Sequence, residues 1–195
     1  MRIGVLGSGN VGQTIAGKLT ELGHDVRTGT RSEGNYRDAA AHGELVFNCT
    51  AGTGSLEALR AAGEEELRGK VLVDVANPLD FSKGMPPTLS VCNDDSLGER
   101  IQREFPDARV VKALNTVNAG VMVEPIQGTN LCVCGDDAAA KSQVVALLGE
   151  VGWPAESVLD LGGIQAARGM EMYLPLWLGM MGALGTPAFN IAIAR

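Results

Sequence analysis

A chain of 195 residues with 45% hydrophobic and 20% charged residues has the composition of an ordinary globular protein, long enough to bury one sizeable core. Its net charge of −7 argues against nucleic acid or an anionic membrane as a partner, so any bound anion must be gripped by local donors. The four cysteines (Cys49, Cys92, Cys132, Cys134) form no Cys-x-x-Cys pair and are expected as small core residues in a reducing, cytoplasmic setting, with no metal site.

The opening "RIGVLG" (2–7) is a short apolar run ending in glycine, read as a buried strand rather than a signal peptide. Val11, Ile15, Leu19 and Leu22 then recur at helical spacing, and Gly23 closes that helix. "DVRTG" (25–29) and "ELVFNCTAG" (44–52) read as the second and third strands. The 12 residues from Ser32 to Gly43 are about the minimum for a parallel crossover, with room for two turns of helix around "YRDAAAHG". "SLEALRAAGEEEL" (55–67) reads as a helix, residues 70–76 as a strand stopped by Pro78, and "DSLGERIQREFP" as a helix with Leu97, Ile101 and Phe105 on one side. "ARVVKALN" and "TNLCVCG" are further strands. Asp136 is placed to cap the next helix, which Gly152 and Pro154 stop.

Residues 164–185 begin as a helix with Gln165, Arg168 and Glu171 on one side and then become apolar all round, which predicts burial. Pro175 removes the hydrogen bond to the Glu171 carbonyl, so a kink or break belongs there, and "FNIAIAR" alternates as a final strand. Met172 to Ala194 carries no charge and could span a bilayer by length. Pro175, Pro187, Asn190 and the glycines between them, with no basic flank, favour a buried helix instead. The alternation of strands and helices predicts an α/β fold: a Rossmann-like, doubly wound, mostly parallel sheet over residues 1–160, with a helix–strand extension over 161–195.

Gly7-Ser8-Gly9-Asn10-Val11-Gly12 fits G-x-G-x-x-G in the context its mechanism requires, between an apolar strand and an amphipathic helix. Gly7 permits the turn, Gly9 lets backbone approach a pyrophosphate, and Gly12 lets helix and strand pack closely. The helix N-terminus offers N–H groups and a positive dipole end to phosphate. About 20 residues on, where a carboxylate would hold an unphosphorylated ribose, stand Thr30 and Arg31, which suit a 2′-phosphate; Glu33 lies beyond the strand end. NADPH is therefore favoured over NADH.

Other strand ends offer Thr50-Ala51-Gly52, Ala76-Asn77-Pro78 and Leu114-Asn115-Thr116, small, amide and hydroxyl residues suited to a flat ring and its ribose. His24 and His42 fall outside strand ends, and no Ser-His-Asp arrangement or metal-ligand cluster appears. A reaction needing a proton donor would have to use Lys112, Asp80 or Glu171. Hydride exchange between two cofactors needs alignment more than acid–base groups, so no catalytic side chain is assigned.

The stretches 1–31, "VLVDVANPLDF", "RVVKALNTVNAG", "VCGDD" and "ARGMEMYLPLWLGMMGALGTPAFNI" resemble the F420-dependent NADP reductases along essentially the whole chain. The resemblance implies hydride exchange between NADP(H) and the deazaflavin coenzyme F420, small-molecule cofactors as the partners, and a homodimer. It places the pyrophosphate on Gly7, Ser8, Gly9, Asn10, Val11 and Gly12 and the 2′-phosphate on Thr30 and Arg31. The rings would lie beside Thr50, Ala51, Asn77, Pro78, Asn115 and Thr116, with Leu184 closing the deazaflavin side. The chain departs from the family in having Ala51-Gly52 where Ile-Pro is usual, and in a short crossover that leaves Arg37 as the nearest further cation. Two other readings stay open: an NADPH-dependent reductase of a flavin or small imine or carbonyl compound, and a non-catalytic NADPH-sensing or partner-binding module.

Overall fold

The computed structural model describes residues 1–194. In chain order the regular elements are β1 (Arg2–Leu6), α1 (Asn10–Glu21), β2 (Asp25–Gly29), α2 (Tyr36–His42), β3 (Leu45–Asn48), α3 (Ser55–Ala62), α4 (Glu64–Leu67) and β4 (Val71–Asp74). There follow β5 (Leu79–Asp80), β6 (Thr88–Leu89), α5 (Leu97–Glu104), β7 (Arg109–Ala113), α6 (Ala119–Val123), β8 (Leu131–Cys134), α7 (Ala138–Val151), β9 (Val158–Asp160) and α8 (Ala167–Leu184). Seven strands form one sheet in the order β2-β1-β3-β4-β7-β8-β9, and β5 with β6 makes a small separate hairpin. The first five strands run parallel, with Ile3 level with Val26 on one side and Leu45 on the other. β8 runs antiparallel to β7, and β9 parallel to β8. The reversal follows from α6, which is little more than one turn and packs on α1, so the chain re-enters the sheet from the edge it left.

The period-2 geometry of the strands sorts the core into two layers. Ile3, Val5, Leu45, Phe47, Val71, Val73 and Val111 meet α1, α6 and α7 on one face. Leu6, Val46, Leu72 and Val110 meet α2, α3, α5 and the start of α8 on the other. β1 leads to β2 on one side while β3 lies on its other side, and this change of direction opens a crevice at the strand carboxyl ends.

Several sequence expectations are corrected. The helix over 55–67 breaks at Gly63, whose φ of +93° ends α3 before the single turn of α4. Asp137, not Asp136, caps α7 by accepting from the Ala140 N–H, while Asp136 accepts from Ile164 N–H at 2.9 Å. Pro175 does not break the helix, because α8 continues through it. The apolar half of α8 is not buried all round: Leu176 is 61% exposed and Leu184 59%. Residues 189–194 form no strand; they run past Thr129 and Asn130, with Asn130 N–H donating to the Ile191 carbonyl, and Arg195 lies outside the described residues. Among the described residues no helix is long and apolar enough to cross a membrane.

Candidate active site

The turn from β1 into α1 is shaped by backbone. Gly7 has φ +111°, and a Cβ there would press on the Cys49 carbonyl at 2.7 Å. A Cβ at Gly12 would collide with the Gly7 carbonyl, so helix and strand meet only without one. Gly9 is different, since a Cβ there meets no atom of the described residues within 4 Å. Nothing in the chain itself demands glycine at that position, whereas a ligand seated on the turn would. α1, like α2, α3, α4 and α8, has no side-chain cap. Its first N–H groups are left for an anion.

In front of this turn lies a cavity of about 470 Å³, with Gly7, Ser8, Gly9, Thr30 and Arg31 in its walls. Asn35 and Glu33 order the strand tip: Thr30 N–H donates to Asn35 Oδ1 at 2.7 Å, and Glu33 N–H donates to Thr30 Oγ1 at 3.1 Å. Arg31 is the charged residue of these walls among the described residues; its guanidinium lies 3.6 Å from Glu57 and is largely exposed. Arg37 faces away and pairs with Glu66. The fit for a phosphorylated adenosine is thus a cradle open where a Cβ would stand, an uncapped helix end and one reachable guanidinium.

Cys49, Thr50 and Ala51 are shared with a second cavity of about 340 Å³. It is lined by Asn10 and Val11 of α1, Asn77, Asn115 and Thr116 at the other strand ends, and Leu174 and Trp177 of α8, with Phe81 at its margin. Asn77 Nδ2 donates to the Asn115 carbonyl at 2.8 Å, and Asn115 Nδ2 donates back to Asn77 Oδ1 at 2.9 Å and to the Met170 carbonyl at 3.1 Å. This clasp joins β4, β7 and α8 across the floor. Among the described residues its walls hold no Asp, Glu, His, Lys or Arg, and burial drives the Cys49 thiol far above its usual range, with the Asp74 carboxylate adding to it. The first cavity can hold a phosphorylated nucleotide and the second a flat uncharged ring.

The charged groups lie behind the second cavity. Lys112 is fully buried, and its three ammonium protons meet three acceptors: Asp74 Oδ2 at 2.7 Å, the Ala76 carbonyl at 2.6 Å and Glu171 Oε1 at 2.8 Å. Burial alone would lower its pKa, but the two carboxylates outweigh that and hold it above the ordinary lysine value. Glu171 also accepts from the N–H groups of Leu97 and Gly98, capping α5 from α8.

Of the residues named from the sequence, Gly7, Ser8, Gly9, Asn10, Val11, Thr30, Arg31, Thr50, Ala51, Asn77, Asn115 and Thr116 all line one of the two joined cavities. Gly12 lies behind the turn, Pro78 beside the cavity without lining it, and Leu184 on the exposed end of α8. Asp80 is half-buried on the hairpin, and His42 bonds the carbonyl of Asp25 at the opposite edge of the sheet. Sequence reading missed Phe81, Asn118, Leu174 and Trp177. Only Asn118 carried a signal, as a potential cap one turn after a strand end.

The family described as NADP oxidoreductase coenzyme F420-dependent matches residues 2–78. A solved structure from Arthrobacter sp. FB24, assigned as an F420-dependent NADP-reductase, is 50% identical, with a TM-score of 0.95 over 100% of both chains. An F420-dependent NADP reductase of Methanocaldococcus jannaschii is 29% identical over 148 residues, 74% of this chain and 65% of that protein. Metalloreductase STEAP3 of Rattus norvegicus is 27% identical over 90% of this chain and 38% of its own length, so the chain spans well under half of that relative. A Myxococcus stipitatus imine reductase in complex with NADP+ shares the fold alone, at 17% identity and a TM-score of 0.66.

Proposed function

The chain belongs to the F420-dependent NADP reductase family, and from that premise we propose that it is an oxidoreductase moving hydride between NADP(H) and the deazaflavin coenzyme F420. The observation that carries this reading is the pair of joined cavities: a phosphate cradle with one reachable cation, opening into a chamber walled by neutral groups. Gly7 to Gly12 would receive the pyrophosphate, and Thr30 with Arg31 the 2′-phosphate. Thr50, Ala51, Asn77, Pro78, Asn115 and Thr116 would flank the two rings. When bound, the coenzymes supply the chemistry, a hydride passing with its electron pair and the reduced deazaflavin taking up a proton. The chain orients, and it excludes water with Leu174, Trp177 and Val11. An imine or carbonyl reductase would need a proton donor beside the hydride acceptor, and among the described residues the chamber walls hold no Asp, Glu, His, Lys or Arg to serve as one.

Residues 1–160 would form the nucleotide-binding unit. Residues 161–195 would pack on it as a lid and as the contact of a cytoplasmic homodimer, with the uncharged, exposed end of α8 and Leu184 in that contact. The test is anaerobic mixing of the protein and NADPH with oxidised F420, with FMN run in parallel, following the deazaflavin absorbance. Bleaching with F420 is expected. Reduction of FMN alone, or no change with either acceptor, would overturn the reading.

A further inference from the structure

Thr50 sits on the wall common to the two cavities, where any ligand running from the phosphate cradle to the neutral chamber must pass. Its hydroxyl is part of a buried chain of contacts that starts at Lys112. All three protons of that ammonium are committed, and Asp74 accepts one of them through Oδ2. Its other oxygen faces Asn48 Nδ2 at 2.8 Å, and Asn48 is fully buried. A carboxylate cannot donate, so the Asn48 amide must present its NH2 to Asp74 and its oxygen to Thr50. That oxygen lies 2.6 Å from Thr50 Oγ1 and can only accept. The single proton of Thr50 therefore points inward. Ser55 Oγ, 2.9 Å away, must donate to Thr50 or to the Ala51 carbonyl at 3.3 Å. Either way Thr50 has no proton left for the cleft and at least one lone pair that no protein donor occupies.

Resting on the nucleotide-binding reading above, we propose that Thr50 is an acceptor-only contact for a hydroxyl of the nicotinamide-side ribose, with Asn48, Asp74 and Lys112 as positioning residues that set its polarity. A free hydroxyl would rotate to serve donor or acceptor alike. Here the ammonium, acting through a carboxylate and an amide, removes that choice, so the wall prefers a ribose O–H to a group that only accepts.

The proposal is tested by titration calorimetry of NADP+ and of 2′,5′-ADP, which carries the adenosine half alone, against wild type, Thr50→Val and Thr50→Ser. Thr50→Val should lose on the order of tenfold in NADP+ affinity, as expected for one hydrogen bond. The same variant should bind 2′,5′-ADP unchanged, and Thr50→Ser should stay near wild type. NADP+ analogues with one or the other nicotinamide-ribose hydroxyl replaced by fluorine test the polarity: one should bind wild type about tenfold more weakly than NADP+, and Thr50→Val no more weakly. Full NADP+ affinity in Thr50→Val, equal losses for both ligands, or full affinity of wild type for both analogues would overturn the proposal alone. If neither NADP+ nor 2′,5′-ADP bound wild type, the nucleotide-binding reading itself would fall.

Discussion

The two cavities along the carboxyl edge of the sheet are built on opposite plans. The phosphate side is made of backbone with one largely exposed guanidinium, Arg31, whose carboxylate neighbour Glu57 lies 3.6 Å away. The ring side has neutral walls, and the charge that shapes it, Asp74, Lys112 and Glu171, is wholly buried behind them. Charge that a ligand can reach confers affinity and discrimination. Charge out of reach fixes geometry, and it is screened so little by water that its loss is felt by the whole fold.

The contrast is broken most severely at Lys112. Lys112→Met leaves Asp74 and Glu171 buried without their shared cation, and stability should fall by about 3–5 kcal/mol, read as a lower urea midpoint. A loss under about 1 kcal/mol would mean the buried cluster does not hold the floor. On the phosphate side, Arg31→Glu should leave the urea midpoint in place and weaken NADPH by roughly tenfold to hundredfold while NADH changes little. Equal losses for both nucleotides would remove Arg31 from the 2′-phosphate seat. Gly9→Ala sharpens the same point, because its Cβ touches no atom of the described residues within 4 Å. Folding should stay within about 1 kcal/mol of wild type, while NADPH binding, measured by fluorescence, drops by about tenfold.

The smallest effect concerns how α8 is held beside the cleft. The Arg168 guanidinium on α8 bonds Glu99 on α5 at 2.7 and 2.9 Å and, against the opposing effect of burial, holds that carboxyl below its ordinary value. A lowered carboxylate pKa stabilises the folded state above the unfolded value of about 4.3 and stops doing so as pH falls through the lower folded value. Thermal unfolding followed from neutral into acid should show this loss in wild type, and Arg168→Met should flatten it. Identical acid profiles would show that this pair does not fasten α8.

Much of the phosphate side was legible because its determinants are local. The turn, the helix start and the strand tip lie within residues 7–31, and G-x-G-x-x-G carries its geometry in its spacing. The ring side was legible only as strand ends. Asn77 and Asn115, 38 residues apart, become a mutual clasp only once β4 and β7 lie side by side. Phe81, Leu174 and Trp177 carried no motif, because an apolar residue reads the same whether it fills a core or walls a cavity. Lys112 and Glu171 were read as groups a reaction needing a proton donor would have to use, but their pairing with each other and with Asp74 was out of reach from order along the chain.

The sequence by itself determined the strand–helix alternation, the glycine turn and the cation at the second strand tip, since each depends on residues within one or two turns of one another. The tertiary structure alone decided that β8 turns antiparallel, that the uncharged half of α8 leaves one side exposed, and that a buried lysine sets the direction of the Thr50 hydroxyl. Those outcomes rest on contacts between segments far apart in the chain. Periodicity and propensity describe what a segment can bury, but only packing decides which surface it meets.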